Sequence, residues 1–215
     1  MNEPAPSFRL ASIFDDETVP IEDGTMQWIP LRRQLGIQGF GTNAYRAAQA
    51  GDRAIEEHVE SPGQEEMYVV VSGGVTFDID GEQVDAPAGT VVFLPRPDAR
   101  RGGIATEDDT VVLAVGGWPG KPYRSLPWEP IFLASEAMRQ GDWAAAAETL
   151  EREAGEQRGS PFVRFRLACC LAEMGEHERA LDELRQAIES KPDLLSAAEK
   201  EEHMASLRGL EGWPG

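Results

Sequence analysis

The sequence predicts an all-β barrel followed by an all-α helical domain, and three observations indicate this order. Before residue 116, short runs of alternating or β-branched residues are separated by turn signals. Segment 116–122 is too rich in glycine and proline to continue a strand or a helix. After it, alanine-rich amphipathic segments recur with helical spacing. The sequence therefore predicts an N-terminal arm at 1–25, a barrel at 26–117, a linker at 118–126 and a helical domain with a C-terminal cap at 127–215.

The β half is defined by apolar runs and by the turns between them. Ser72-Gly73-Gly74 and Asp80-Gly81 stand where a hairpin needs residues that tolerate positive φ. The first 25 residues are less regular, because the run Phe8 to Phe14 is typical of a strand whereas the acidic runs 15–17 and 22–23 favour an arm laid over the barrel. The strands predicted with most support are Met67 to Val71, Val75 to Asp80, Thr90 to Leu94 and Thr110 to Val115.

The α half contains an internal repeat. Helices are predicted at about 129–140, 142–156, 161–174, 177–190 and 195–208, and Gly141 and Gly175 punctuate them at a period of 34 residues. Ala146 and Leu150 follow the first glycine at the offsets at which Ala180 and Leu184 follow the second. This pattern resembles the tetratricopeptide repeat, with 195–208 as a solvated cap. The resemblance implies a groove for a peptide or protein partner, but two repeats make a short groove, which favours packing or dimerisation.

Composition narrows the function classes. The chain has 20 Lys plus Arg against 38 Asp plus Glu, and a formal charge of −18 argues against nucleic acid and anionic membranes as partners. No apolar run approaches the roughly 20 residues that span a bilayer. The start of the chain lacks the basic and then apolar pattern of a secretory signal, so we expect a cytoplasmic protein. Cys169 and Cys170 are adjacent in a helical pattern, so we expect them to pack as small apolar residues.

Residues 40–117 resemble the cupin family, in which a small jelly-roll barrel holds a metal or ligand in its mouth. The end of the first cupin motif, a glutamate followed after six residues by glycine, is matched by Glu66 and Gly73. The second motif begins with glycine, five residues and proline, and Gly89 and Pro95 have that spacing. The resemblance implies an all-β jelly-roll barrel and a homodimer paired through its sheets.

The departures from the cupin motifs bear on the chemistry. If His58 takes the first histidine position, Glu60 takes the second, with five residues between Glu60 and Glu66. In the second motif Pro97 replaces glycine and Arg100 stands where the third histidine is expected. One imidazole therefore remains of the three that the motifs usually supply.

Strand periodicity brings these residues together independently of the family. In extended strands Glu56, His58 and Glu60 share one face, and Glu66 and Tyr68 share another. If both faces point inward, they line the barrel mouth; alternatively, residues 56–60 bend outward as a solvated edge.

Two kinds of site agree with these residues. His58, Glu60 and Glu66 form an acceptable ligand set for Fe, Mn or Zn. Arg100 in the same pocket would repel a divalent ion, pair with a carboxylate or grip an anionic ligand. Arg101 is expected on the opposite face. The sequence therefore favours a metal-free pocket over a metal site.

Three functions follow from these alternatives. The favoured one is a binding module whose ligand site comprises His58, Glu60, Glu66, Tyr68 and Arg100, holding a small anionic ligand, with the helical repeats contacting a protein partner or a second copy. The second is a small-molecule enzyme: a metal-dependent dioxygenase-like protein, or a metal-free isomerase or lyase in which His58 and a carboxylate act as acid and base. The third is a collapsed pocket with a purely structural role. For Arg100 itself, the structural alternative to ligand binding is a salt bridge to Glu66.

Overall fold

The computed structural model describes residues 7–14, 18–21, 24–153 and 155–214. The chain divides between Arg124 and Ser125 into two compact units. Where the structure is described, the first unit is all β apart from one short helix and the second is helical, so the prediction of a β barrel followed by an all-α domain is confirmed. None of the helices in the described residues is both long and apolar enough to cross a membrane.

In its described residues, the first unit forms ten strands in two antiparallel sheets. The six-stranded sheet has the order β1-β2-β3-β10-β5-β8, and the four-stranded sheet has the order β4-β9-β6-β7. The elements are β1 (Val19–Ile21), β2 (Met26–Ile29), α1 (Leu31–Leu35), β3 (Gly41–Ala47), β4 (Arg53–His58), β5 (Glu65–Ser72), β6 (Gly74–Ile79), β7 (Glu82–Pro87), β8 (Val91–Leu94), β9 (Arg101–Ala105) and β10 (Thr110–Gly117).

The barrel interior follows from the two-residue period of its strands. In β5 the buried side chains are those of Glu66, Tyr68 and Val70, with less buried residues between them. Tyr68 of one sheet stacks on Phe77 of the other, with ring centroids 5.5 Å apart. Gly103 of β9 lies so close to this core that an added Cβ would be 2.8 Å from Val75. Both sheets therefore contribute to one tightly packed core.

The predicted arm differs in part from the structure. Val19–Ile21 forms β1 and pairs with β2, because its apolar residues complete the edge of the six-stranded sheet and Ile21 is fully buried there. Residues 8–14 are described and do not form a strand. Residues 1–6 and the acidic runs 15–17 and 22–23 lie outside the described residues.

The second unit contains the repeated helices. Its core includes Ala146 and Leu150 of the first repeat and Ala180 and Leu184 of the second, all four fully buried. The helices are α2 (Trp128–Arg139), α3 (Trp143–Glu153), α4 (Pro161–Glu173), α5 (His177–Ser190) and α6 (Leu194–Ala198), with 3-10 turns at Gly155–Gly159 and Glu202–Leu207.

The cap is not the single helix predicted at 195–208. It consists of α6 and the 3-10 turn Glu202–Leu207, and the backbone of Glu201 between them is extended. Ala198 and Met204 are both fully buried, but residues six apart lie on different faces of a continuous α-helix. Breaking the helix lets both side chains reach the same core.

Candidate functional site

Three ionisable side chains meet inside the barrel. His58 is the last residue of β4, Glu60 follows it in the loop, and Glu66 projects inward from the neighbouring sheet. Nε2 of His58 lies 3.6 Å from Oε1 of Glu60 and 3.7 Å from Oε2 of Glu66. If one potential ligand atom is taken from each of the three residues, the three atoms all lie within 4.8 Å of one another. Among the residues that the structure describes, no other group of three or more His, Cys, Asp or Glu side chains is placed to share an ion.

A backbone contact orients His58. Its Nδ1 lies 2.8 Å from the carbonyl oxygen of Glu56. Because a carbonyl can only accept, Nδ1 carries the hydrogen in this contact. Nε2 is then the ring atom that faces Glu60 and Glu66. Histidines that bind metals are commonly oriented by a contact of this kind on their other nitrogen.

Each carboxylate is also held in place. Oε2 of Glu60 accepts the N–H of Ser61 at 3.2 Å, and the N–H of Glu60 donates to the carbonyl of Pro97 at 2.8 Å. Oε2 of Glu66 accepts the hydroxyl of Tyr68 at 2.6 Å. These contacts restrict the rotamers of both glutamates, so the cluster is largely preorganised.

The electrostatics of the cluster favour positive charge at His58. Burial lowers the pKa of His58, but interactions with Glu60 and Glu66 and the charge of Glu56 outweigh burial and raise it to about 10. Burial and the nearby Glu66 raise the pKa of Tyr68, so its phenol stays neutral and can donate. Tyr45, which the sequence did not single out, has its pKa raised by burial and by Glu56, Glu66 and Glu60. The interior therefore carries an excess of negative groups.

Two separations in the cluster match those expected around a divalent transition metal. Ligand atoms around one ion with bonds of about 2.0–2.2 Å lie about 3–4 Å apart, and both distances from Nε2 of His58 fall in that range. They are too long for strong N–H···O hydrogen bonds. One imidazole nitrogen with two carboxylate oxygens suits Fe, Mn or Zn and leaves positions for other ligands.

Arg100 does not lie in this cluster, which corrects the expectation from the sequence. Its guanidinium pairs with Glu57 outside the barrel, and both side chains are more than half exposed. The backbones of Arg100 and Asp80 bond to each other, and the Arg100 N–H also donates to the Asp80 side chain. These contacts hold Arg100 outside the barrel, just before β9 begins. A salt bridge from Arg100 to Glu66 is excluded by the same placement.

Arg101 points inward instead, opposite to the predicted face. Its side chain is fully buried, and its Nε lies 3.5 Å from Oε2 of Glu66. In the backbone register of β4 and β9, Arg101 is paired with His58. The alternation of β9 then places Gly103 on the same inward face, against Val75 and Phe77 of the core.

An open groove lies beside the cluster. It has a volume of about 340 Å³, and Glu66 contributes to its lining. Phe93 and Phe40, about half exposed, also line it, as does Trp118. The barrel therefore has a largely apolar concavity next to Glu66 of the cluster.

The comparisons with known proteins agree with this architecture. Residues 46–116 match the model of the cupin domain, and residues 137–200 match a model of the tetratricopeptide repeat. No curated protein matches the chain.

Several solved structures are similar in part. A cupin protein from Bacteroides fragilis is 22% identical over 56% of this chain and 92% of its own, with a TM-score of 0.41. KdgF from Halomonas sp. is 16% identical over 54% of this chain and 96% of its own, with a TM-score of 0.39. A sugar phosphate isomerase of the cupin superfamily from Silicibacter pomeroyi is 18% identical over 48% of this chain and 68% of its own, with a TM-score of 0.38.

Proposed function

We propose that this chain, in which a cupin domain is followed by a tetratricopeptide-repeat segment, binds one divalent transition-metal ion in its barrel and presents it to a small ligand with oxygen donors. His58, Glu60 and Glu66 would hold the ion. The observation that carries the proposal is the convergence of Nε2 of His58 with one oxygen of each glutamate, while Nδ1 is held by the carbonyl of Glu56. This proposal departs from the metal-free site that the sequence favoured.

The charges inside the barrel support a cation over an anion. The anionic ligand expected from the sequence depended on Arg100, which lies outside and pairs with Glu57. Arg101 is buried against Glu66. The carboxylates of Glu60 and Glu66 thus lie with one guanidinium, so these three groups carry a net charge of about −1 when His58 is neutral. A divalent ion would be attracted to this group, whereas an anion would be repelled by it.

The protein's own residues define what the site can do. A bound ion would supply Lewis acidity and open positions for oxygen ligands. Ser61 and Tyr68 hold one oxygen of Glu60 and Glu66, respectively. The side chains of Glu60 and Glu66 are only 11% and 10% exposed, and that of His58 is 25% exposed. All three side chains are therefore largely shielded from bulk water, the two carboxylates most of all.

A metal-free acid and base pair is the second candidate, and one observation favours it. The hydroxyl of Tyr68 lies 3.4 Å from Nε2 of His58 as well as 2.6 Å from Glu66. With Arg101 beside Glu66, these groups form a continuous polar network without an ion. Such a network would suit an isomerase or lyase that moves a proton next to a carbonyl.

Metal binding separates the two candidates. The chain is stripped with chelator and titrated with Mn²⁺, Co²⁺ and Zn²⁺ by calorimetry, with melting temperature as a second readout. We expect one ion per chain and a higher melting temperature in wild type, and loss of both in His58→Ala. His203→Ala is the matched control, because His203 of the helical unit also pairs with a glutamate, Glu173, and should leave binding unchanged. Absence of binding, or equal binding by His58→Ala, would favour the metal-free network.

For the helical segment we propose contact with a protein partner or with a second copy of the chain. Phe162 and Leu210 are exposed apolar side chains in this unit, and side chains of this kind are common at contacts between proteins. Light scattering after size-exclusion chromatography tests the second copy: a dimer mass that becomes a monomer mass in Phe162→Asp supports it, and a monomer mass for wild type contradicts it.

A further inference from the structure

Arg101 is connected to all three residues of the cluster. Its backbone is paired with His58 across β9 and β4. Its Nη1 donates to the carbonyl of Pro97 at 3.1 Å, and the same carbonyl accepts the N–H of Glu60 at 2.8 Å. Its Nε lies 3.5 Å from Oε2 of Glu66. One side chain thus links the loop that positions Glu60 to the strand that carries Glu66.

The surroundings of Arg101 indicate that this arrangement has a role beyond packing. The side chain is fully buried, and Nε and Nη2 are buried atoms without hydrogen-bond partners. A buried guanidinium costs several kcal/mol in lost hydration, and replacing a buried ion pair by apolar residues is often neutral or stabilising. The contribution of the Arg101–Glu66 pair to folding stability is therefore a weak reason for an arginine at position 101. Its planar, rigid fork can reach a carbonyl and a carboxylate together, which lysine does less well.

We infer that Arg101 is a positioning residue that sets the separation of Glu60 and Glu66 for the ion. The inference rests on the proposed function, because the two glutamates are positioned for an ion that His58 shares with them. Arg101 acts through Pro97 on one side and through Glu66 on the other. The positive charge of Arg101 weakens the binding of a divalent ion, whereas its positioning of Glu60 and Glu66 strengthens that binding. The two effects on metal affinity have opposite signs and can therefore be measured separately.

Arg101→Lys separates position from charge. It keeps the positive charge but loses the fork that reaches Pro97 and Glu66 together. We expect its affinity for Co²⁺ to fall about 10- to 100-fold, the usual effect of removing a residue that orients metal ligands, and the visible absorption bands of bound Co²⁺ to change. Arg100→Lys is the matched control and should bind Co²⁺ as wild type does, because Arg100 pairs with Glu57 outside the barrel. A merely structural role would lower the melting temperature of the metal-free variant without changing the Co²⁺ spectrum.

The outcomes distinguish this inference from the proposed function. If wild type and Arg101→Lys bind Co²⁺ with affinities within twofold and identical spectra, Arg101 is not a positioning residue, although the metal site stands. If wild type itself gives no Co²⁺ spectrum, the proposed function fails and the inference fails with it. Should Arg101→Lys not fold, the guanidinium ¹⁵N–¹H signal of Arg101 in wild type provides the test. It should shift on addition of Zn²⁺ while that of Arg100 does not, and an unshifted Arg101 signal would overturn the inference.

Discussion

The hydroxyl of Tyr68 donates a 2.6 Å hydrogen bond to Oε2 of Glu66, the oxygen that faces His58. The phenyl ring of Tyr68 stacks separately on Phe77. Removing the hydroxyl alone should therefore free Glu66 without disturbing the ring packing. In Tyr68→Phe we expect metal affinity to fall about tenfold or more and the free energy of unfolding to fall by about 1.5–3 kcal/mol, because a buried carboxylate loses its donor; calorimetry and urea denaturation measure the two changes. Unchanged affinity would show that Glu66 does not need this contact.

The neighbouring arginines of β9 should differ sharply in their effect on stability. Arg101→Ala leaves Glu66 buried beside an empty space, and removing one partner of a buried ion pair costs about 3–5 kcal/mol. Arg100→Ala removes an exposed pair with Glu57, and such pairs contribute little. We expect urea denaturation to show a large loss for Arg101→Ala and none for Arg100→Ala. The reverse order would place Arg100 inside the barrel, as the sequence predicted.

The two cysteines should be unreactive in the folded protein. Both are buried, and burial raises the pKa of each thiol to about 12. The reactive thiolate is therefore scarce at pH 8. With Ellman's reagent we expect slow reaction of the native protein and two thiols per chain in guanidinium chloride. Rapid reaction of the native protein at pH 8 would contradict the burial of α4 in the helical core.

Residues 1–124 should fold alone. The chain divides after Arg124 into two compact units, and the second has a hydrophobic core cluster of its own, formed by residues between 134 and 207 with Trp213 packed against it. We expect a chain that ends at Arg124 to unfold cooperatively and to bind the same metal as the full chain. Calorimetric and circular-dichroism melting curves measure this, and an aggregated or non-cooperative product would show that the barrel depends on the helices.

Local sequence signals predicted the barrel strands and the inward face of β5. The turn glycines Gly73 and Gly81 do have positive φ, at 67° and 88°, as their place between apolar runs required. The alternation of Glu66, Tyr68 and Val70 also follows directly from strand periodicity. Each of these features depends on a few adjacent residues.

Which of the two arginines, Arg100 or Arg101, points into the barrel is determined by the pairing of strands that lie far apart in the sequence. The register of β4 and β9 shifts twice between Arg53 and His58, and such irregularities change which residue faces the core. The position of Glu60 could not be predicted from strand periodicity either, because β4 ends at His58. A backbone hydrogen bond to Pro97, which is distant in the sequence, holds Glu60 at the cluster. The broken cap helix likewise reflects the position of the core that Ala198 and Met204 both reach.

The most direct test of the metal site is anomalous diffraction from crystals of the chain grown with Zn²⁺ and measured at the zinc edge. We expect one strong peak inside the barrel, about 2.0–2.1 Å from Nε2 of His58 and about 2.0–2.2 Å from an oxygen of each of Glu60 and Glu66. No peak at this position in crystals that hold zinc elsewhere, with Nε2 of His58 hydrogen-bonded directly to either carboxylate, would contradict the metal site.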